Sequence, residues 1–481
     1  MPSTSRPTQP VAPEVVERLK SVVGRAGYLD DPSDIAPFCK SWRDGWIGRV
    51  PIVLRPQTTE QVAAIVRICA QMRVGIVPQG GNTGLTGGGQ PHCDLSEVVV
   101  STSRMSRIRA IDTINDTMTV EAGVVLKEIH NAASRAQRLF PLSLGAQGSC
   151  QIGGNISTNA GGVQVLRYGN TRELVLGLEV VLPNGSVWNG LRGLRKDNTG
   201  YDMKQLFIGA EGTLGIITAA VLRLFPMPSA SETAWIGLAS PAAGVALLAH
   251  MRTRLGDTVS AFELICRPII DLLLAGVAGH EDPMRSIHPW YVLMEVTSQG
   301  PPGALHEPLS EALVDAHTAG LFADALIAAS GAQSAKLWSL RESLTEAQAS
   351  AGGSIAHDVS MPVSRIPEFI ERADKALAAA YPGLRPCAFG HVGDGNIHYN
   401  PVRPLAWDGA RLRSERFGIN RIVHDIVAEL GGSISAEHGV GRARLAELAR
   451  YKQPVELEMM RAMKRALDPD GIMNPGKMLS V

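Results

Sequence analysis

The chain has 481 residues, and its 46 lysines and arginines are matched by 46 aspartates and glutamates. That length exceeds one ordinary hydrophobic core and predicts two or three domains. A neutral balance with no long basic run argues against nucleic-acid binding, because phosphate contacts need clustered Lys and Arg.

Six cysteines (Cys39, Cys69, Cys93, Cys150, Cys266 and Cys387) are scattered with no CxxC pair. This pattern argues against a zinc ribbon, an iron–sulfur site or a disulfide framework and fits a reducing compartment. Residues 1–13 are polar and proline-rich without the apolar core of a secretory signal. No uninterrupted apolar stretch is long enough to span a bilayer. The expectation is a soluble, cytoplasmic protein, with a peripheral membrane contact left open.

Residues 1–45 are read as an N-terminal helical segment, in which Val15, Leu19, Val22 and Val23 give residues 13–26 a helical period that stops at Gly27. From Pro51 strand and helix alternate. Residues 52–54 form a short apolar strand, Thr59 is read as the cap of a helix over 60–72, and residues 74–77 form a second strand. A glycine-rich loop follows, with Pro78, Gly80, Gly81, Asn82, Thr83, Gly84 and Leu85 at its head. Bare backbone N–H groups after a strand suit a pyrophosphate. The spacing is not GxGxxG, and no amphipathic helix begins there.

A second glycine block spans 145–162 and includes Gly145, Gly148, Ser149, Gly153, Gly154, Asn159 and Gly162. Residues 175–187 read as a strand and hairpin turn. The third block, residues 206–217, holds Glu211, Gly212, Gly215 and Ile216. Beyond Pro226 the glycine clusters thin, and alternating strands and helices predict a separate α+β domain. Within it, residues 336–345 read as one helix with Arg341 and Thr345 four apart on the same face. Taken by itself, Arg341 reads as a solvated helix charge.

His391 and His398 flank Gly393-Asp394-Gly395, which disfavours a helix and predicts strand, tight turn, strand. On one straight strand the odd spacing would put the rings on opposite faces, so the glycines must bend the chain if the rings are to meet. Two imidazoles and a carboxylate form a ligand set for a divalent transition metal. Glu437 is the candidate carboxylate, in a strand-like run between glycines at 431–441.

The three glycine blocks, in this order, resemble the FAD-binding domain of the p-cresol methylhydroxylase and vanillyl-alcohol oxidase flavoproteins. The His391–His398 motif, Glu437-His438, and the tail around Asn474-Pro475-Gly476-Lys477 narrow the resemblance to the FAD-linked D-2-hydroxyacid dehydrogenases. Within these the chain is most similar to the D-2-hydroxyglutarate branch, with D-lactate and glycolate dehydrogenases as close relatives. The resemblance implies an α+β fold: a two-subdomain FAD-binding domain of the p-cresol methylhydroxylase type (46–226), an α+β substrate or cap domain (227–430), and a C-terminal segment (431–481) returning to the flavin.

It implies that Pro78 and residues 80–85 wrap the pyrophosphate, that the second block runs beside the flavin, and that Glu211, Gly212, Gly215 and Ile216 hold the adenosine side, with Asn474 also at the cofactor. Asn82, where a histidine would be needed for a covalent link, implies noncovalent FAD. A divalent ion on His391, His398 and Glu437, zinc before manganese, cobalt or iron, would grip the hydroxyacid. Arg341 and Thr345 would bind its carboxylate, Asn400 would orient it, and His438 would be the general base for hydride transfer to the flavin. The expected electron acceptor is an electron-transfer flavoprotein, a quinone or a cytochrome, and a homodimer is compatible. One departure stands out: Ala356 precedes His357-Asp358 where the family commonly has a lysine for a second carboxylate, which opens the range to other 2-hydroxyacids. Two alternatives remain, a metal-dependent hydrolase and a non-catalytic flavin-binding subunit.

Overall fold

A computed structural model describes residues 7–42 and 45–479, so residues 1–6 and 43–44 of the expected leading segment and 480–481 of the expected C-terminal segment lie outside it. The chain divides into two compact units: residues 1–161, 170–227 and 437–481 form the first, and residues 162–169 and 228–436 the second. Among the described residues, no helix is long and apolar enough to cross a membrane.

The first unit opens with helix Pro13–Val23, whose Val15, Leu19 and Val23 are buried against helix Thr59–Met72. The latter helix is capped by Thr58, not Thr59: the Thr58 hydroxyl accepts the Gln61 N–H at 3.3 Å, and Thr59 is already helical. The helix carries the chain from strand Val53–Leu54 to strand Gly75–Gln79, which run parallel on either side of Glu97–Ser101. Burial on both sides explains the apolar runs at 53–54, 76–77 and 98–100 within these strands. A second, antiparallel sheet orders Ile108–Asp112, Thr117–Glu121, Ile216–Arg223, Val175–Val181 and Val187–Gly190. The turn at Pro183–Ser186 closes the last pair, whose register starts at Val181 opposite Val187.

A seven-stranded antiparallel sheet forms the second unit. In chain order the strands are β1 (Ala230–Leu238), β2 (Val259–Cys266), β3 (Trp290–Ser298), β4 (Asp324–Ile327), β5 (His357–Ser360), β6 (Ala388–His391) and β7 (Asn396–Tyr399). Their order across the sheet is β4-β1-β3-β2-β6-β7-β5. Alternation sorts the side chains. Leu264, Val292, Ile397 and Tyr399 join one core with residues of helices Pro241–Leu255, Ile366–Ala380 and Gly409–Glu429. Ile265, Leu293, Cys387 and Phe389 face a second core with helices Arg267–Gly276, Gly331–Glu342 and Leu344–Ser350.

Two local expectations are corrected. Residues 336–345 do not form one helix, because Ser343 (φ −82°, ψ −3°) separates Gly331–Glu342 from Leu344–Ser350. The run 431–441 is not a strand: it touches the sheet by an isolated bridge between Ser433 and Ser360 and is otherwise irregular. Glycines at 431, 439 and 441 all hold positive φ, which breaks a strand's period.

The turn between β6 and β7 depends on Gly395, at φ +88°, where a Cβ would lie 2.2 Å from the Met361 carbonyl oxygen. Gly431 has φ +72° but open space around it. Gly431→Ala should therefore cost about 1 kcal/mol from backbone conformation alone. Gly395→Ala should cost more than about 3 kcal/mol, because a clash with backbone adds to the strain. Melting temperatures of the two variants test this; equal shifts would show that the turn relaxes freely.

Candidate functional site

The register of β2, β6, β7 and β5 builds one face. Glu263 pairs with His391, and Ile265 with Phe389. Phe389 pairs in turn with His398, and His398 with Asp358. Residues directly opposite in an antiparallel ladder share a face, so Glu263, Phe389, His391, His398 and Asp358 project together. The sharp turn over 392–395 makes this possible by returning the chain on itself between the histidines. Their rings meet edge to face at 5.5 Å.

Glu437 arrives from the following loop. The Ala436 N–H donates to the Asp358 carbonyl at 3.0 Å, which fixes the backbone one residue before it. One potential ligand atom from each of His391, His398 and Glu437 lies within 4.8 Å of the others. This spread fits one small cation bound at about 2.0–2.2 Å from nitrogen and oxygen ligands.

Each histidine is backed by a buried carboxylate. Glu263 is fully buried and meets His391 Nδ1 at 2.5 Å through Oε1. Asp358, also fully buried, has Oδ1 3.8 Å from His398 Nδ1 and accepts the Asn396 side-chain amide at 3.0 Å. Burial would push the Glu263 carboxyl up, but the adjacent Arg341 and His391 outweigh it and bring it down to about 2. Glu263 is thus an acceptor throughout the neutral range.

Arg341 is buried rather than solvated. Its Nε donates to Glu263 Oε2 at 2.6 Å, and its guanidinium lies 5.1 Å from the centroid of the Phe389 ring. Thr345 is exposed, on the helix beyond the break, and is not carried on the same helix as Arg341. Asn400 is buried; its Oδ1 accepts the His357 N–H at 2.9 Å and its Nδ2 donates to Gln348 at 3.0 Å, so much of its capacity is spent within the fold. Ala356, half-buried, precedes β5. His438 is half-buried, and its carbonyl accepts from the Thr86 hydroxyl at 3.3 Å.

The expected flavin positions lie in the first unit, except Gly162, which belongs to the second. A Cβ on Gly81 would lie 2.0 Å from the Ser149 carbonyl oxygen, so the first two glycine blocks pack backbone to backbone. By contrast, a Cβ on Gly84, Gly145, Gly148 or Gly154 would meet nothing within 4 Å. Bare backbone therefore borders open space, as a cofactor cradle requires. Asn82 (φ +55°), Asn159 (φ +50°), Glu211 (φ +51°) and Asn474 (φ +43°) all hold the left-handed conformation, and all are expected cofactor positions. Such strain concentrates where a ligand is held.

Side chains lock this cradle. Asn82 Nδ2 donates to the Pro37 and Lys40 carbonyls at 3.1 Å each. Both oxygens of Glu211 accept backbone N–H groups, from Val440 and Gly441, at 2.7 Å. Asn474 Nδ2 ties the Glu211 and Gly88 carbonyls at 2.7 and 3.0 Å. Among the described residues the buried Asn474 Oδ1, Gln79 Oε1 and Asn155 Oδ1 have no hydrogen-bond partner, leaving acceptors for a bound polar group. Pro78, in the strand Gly75–Gln79, and Thr83 and Leu85 on the loop after it are partly buried, Gly153 packs on Ala122, and Gly212 packs on Pro78. Gly215 packs on Val180 just before Ile216 begins its strand.

Sequence reasoning missed Glu263. Its signal was there: it is the lone charge in the eight-residue apolar strand Val259–Cys266. Phe389 was missed because its role comes from strand pairing.

Residues 227–478 match the family model of the C-terminal domain of FAD-linked oxidases, and residues 50–190 match an FAD-binding domain. The chain is 38% identical over 477 residues to the mitochondrial D-2-hydroxyglutarate dehydrogenase of Bos taurus, covering 98% of this chain and 85% of that one. It is 35% identical to the D-2-hydroxyglutarate–pyruvate transhydrogenase of Saccharomyces cerevisiae, covering 93% of this chain and 90% of that one. A substrate-bound structure of p-cresol methylhydroxylase superposes with a TM-score of 0.77 at 18% identity, covering 98% of each chain, a likeness of fold.

Gly148→Val and Gly154→Val should weaken FAD binding by at least about tenfold, since each fills the open side of the cradle. Neither should lower the melting temperature of the apoprotein. Titration of apoprotein with FAD, followed by flavin fluorescence, checks this; unchanged affinity in both variants would place the cofactor elsewhere.

Proposed function

Because this chain belongs to the FAD-linked oxidases, in the D-2-hydroxyacid dehydrogenase branch of the p-cresol methylhydroxylase fold, we propose that it oxidises D-2-hydroxyglutarate to 2-oxoglutarate. Other D-2-hydroxyacids, D-lactate first among them, are the neighbouring substrates, and Ala356 keeps them in view. The observation that carries this reading is the convergence of His391, His398 and Glu437, whose ligand atoms lie within 4.8 Å of one another. Noncovalent FAD supplies the two-electron acceptor when bound, and a divalent ion supplies a Lewis acid that lowers the hydroxyl pKa.

The chain's own residues do the rest. His391 and His398 offer neutral imidazole nitrogens and Glu437 a carboxylate oxygen, a set that suits zinc first and manganese, cobalt or iron next. Arg341 presents its terminal N–H groups to the substrate carboxylate, a planar fork suited to bidentate binding. The Phe389 ring covers the guanidinium and keeps water from one side of it. His438, adjacent to Glu437, accepts the hydroxyl proton on a ring nitrogen. Asn400, through its free donor capacity, and Thr345 assist in orienting the acid. Electrons leave to an electron-transfer flavoprotein or a quinone, and the chain works as a homodimer in the cytoplasm or at a membrane surface.

Anaerobic mixing with a panel of D- and L-2-hydroxyacids, read by bleaching of the flavin band, tests the substrate. D-2-hydroxyglutarate should bleach it fastest, and its L-enantiomer should not. Bleaching by none of the panel would reject the dehydrogenase reading.

His438→Ala should lower kcat by about 10²–10⁴-fold with flavin and metal retained. His391→Ala should lose the metal and keep the flavin. Metal analysis beside the visible spectrum separates the two outcomes, and wild-type turnover in both variants would refute the site.

A further inference from the structure

Glu263 has two carboxylate oxygens and two different clients. Oε1 meets His391 Nδ1 at 2.5 Å, and Oε2 meets Arg341 Nε at 2.6 Å. We infer that Glu263 is a positioning residue serving metal ligand and substrate anchor at once, one oxygen selecting the ring nitrogen that His391 turns to the ion and the other aiming the Arg341 fork. The inference rests on the proposed dehydrogenase site and deepens it.

Arginine can only donate, so Glu263 Oε2 must accept from it, and the carboxylate beside a guanidinium stays an acceptor. Nδ1 of His391 must then carry its proton toward Oε1. That leaves Nε2 with the lone pair, and Nε2 becomes the ligand atom. A carboxylate behind a metal-bound histidine fixes the ring's tautomer and raises its basicity.

The Arg341 side is equally constrained. Among the described residues the Arg341 side chain makes one hydrogen bond, through Nε, and its charge rests over the Phe389 ring. Held at Nε and along one face, the guanidinium keeps its two terminal nitrogens for another partner. Its helix, Gly331–Glu342, and His391 on β6 do not adjoin in sequence, and the Glu263 carboxylate on β2 touches both.

An amide at position 263 cannot serve both clients, because it offers one acceptor oxygen and both clients are donors. Arginine cannot reverse its role, whereas histidine can. In Glu263→Gln the amide oxygen should therefore stay with Arg341 while the NH₂ group faces His391. The ring then moves its proton to Nε2, where the ion should bind. The loss falls first on the metal.

The test uses the full-length, flavin-loaded chain. Zn²⁺ and Mn²⁺ affinities are measured by competition with a chromophoric chelator, without substrate, and His391 is followed by nitrogen-15 NMR of histidine-labelled protein. Glu263→Gln should weaken ion binding by about 10–100-fold and shift the His391 proton from Nδ1 to Nε2. Arg341→Lys should raise KM and leave ion affinity unchanged. If Glu263→Gln does not fold, Glu263→Asp decides: it keeps both acceptors on a shorter arm, so Nδ1 should stay protonated while ion affinity or KM worsens.

Wild-type ion affinity and tautomer in Glu263→Gln, or no change of any kind in Glu263→Asp, would overturn the proposal. So would an Arg341→Lys variant that loses the ion as severely as Glu263→Gln, since the pair would then be structural support alone. A wild-type chain that takes up neither ion would defeat the proposed metal site instead, and the His391 tautomer would still decide the role of Glu263.

Discussion

The candidate site depends on the pairing register of four antiparallel strands. Because side chains alternate with a period of two, a slip of one residue in β2 would replace Glu263 by Phe262 or Leu264 on the functional face. The same slip would drive a carboxylate into the core that Leu264, Ile397 and Tyr399 share. The register is thus held from both sides, by apolar packing on one face and by matched charges on the other. Closing β6 onto β7 with a four-residue turn adds the last constraint, since Gly390 and Gly395 both lie too close to neighbouring backbone for any side chain.

Buried charge is handled differently in the two units. On the sheet face, Glu263 is compensated by a guanidinium and an imidazole, which is costly to assemble and costly to break. In the first unit the buried pairs Glu97–Lys477 and Lys464–Asp468 are joined by charges that close on backbone. Glu211 takes two N–H groups of the C-terminal segment, and Lys464 Nζ donates to the carbonyls of Thr213 and Met473 as well as to Asp468. The first pattern leaves side chains poised for small anions or cations, whereas the second leaves a rigid main-chain surface. A flavin, large and mostly planar, needs the second, and a small hydroxyacid needs the first.

Local chemistry was legible in the sequence wherever it is encoded by neighbours. The glycine blocks, the hairpin after Val181 and the His391–His398 turn all follow from residue type and spacing. What the sequence hid is non-local. Arg341 looked solvated because its helix has polar neighbours, and only the pairing of β2 with β6 brings Glu263, 78 positions away, to its Nε. The break at Ser343 was missed because no glycine or proline marks it; its ψ of −3° departs from the helical value without needing a special residue type. The irregular run at 431–441 resembled a strand by composition, but its positive-φ glycines shape a loop that delivers Glu437 after one bridge to β5.

Charge bookkeeping on this face bears on which acids fit. Glu263 already cancels Arg341, so on the proposed reading the guanidinium acts as a directional hydrogen-bond donor more than as net positive charge. Attraction for the reacting carboxylate then falls chiefly to the ion, whose own charge is only half offset by Glu437. At position 356, just before β5 begins, the alanine side chain offers neither charge nor hydrogen-bonding group. On the proposed reading, a second substrate carboxylate directed there would gain nothing from this side chain, and an uncharged chain would lose nothing. On the proposed reading, discrimination between dicarboxylate and simple hydroxyacids would rest on how far the Arg341 fork reaches, and its Nε is held by the Glu263 oxygen with the Phe389 ring beside the guanidinium.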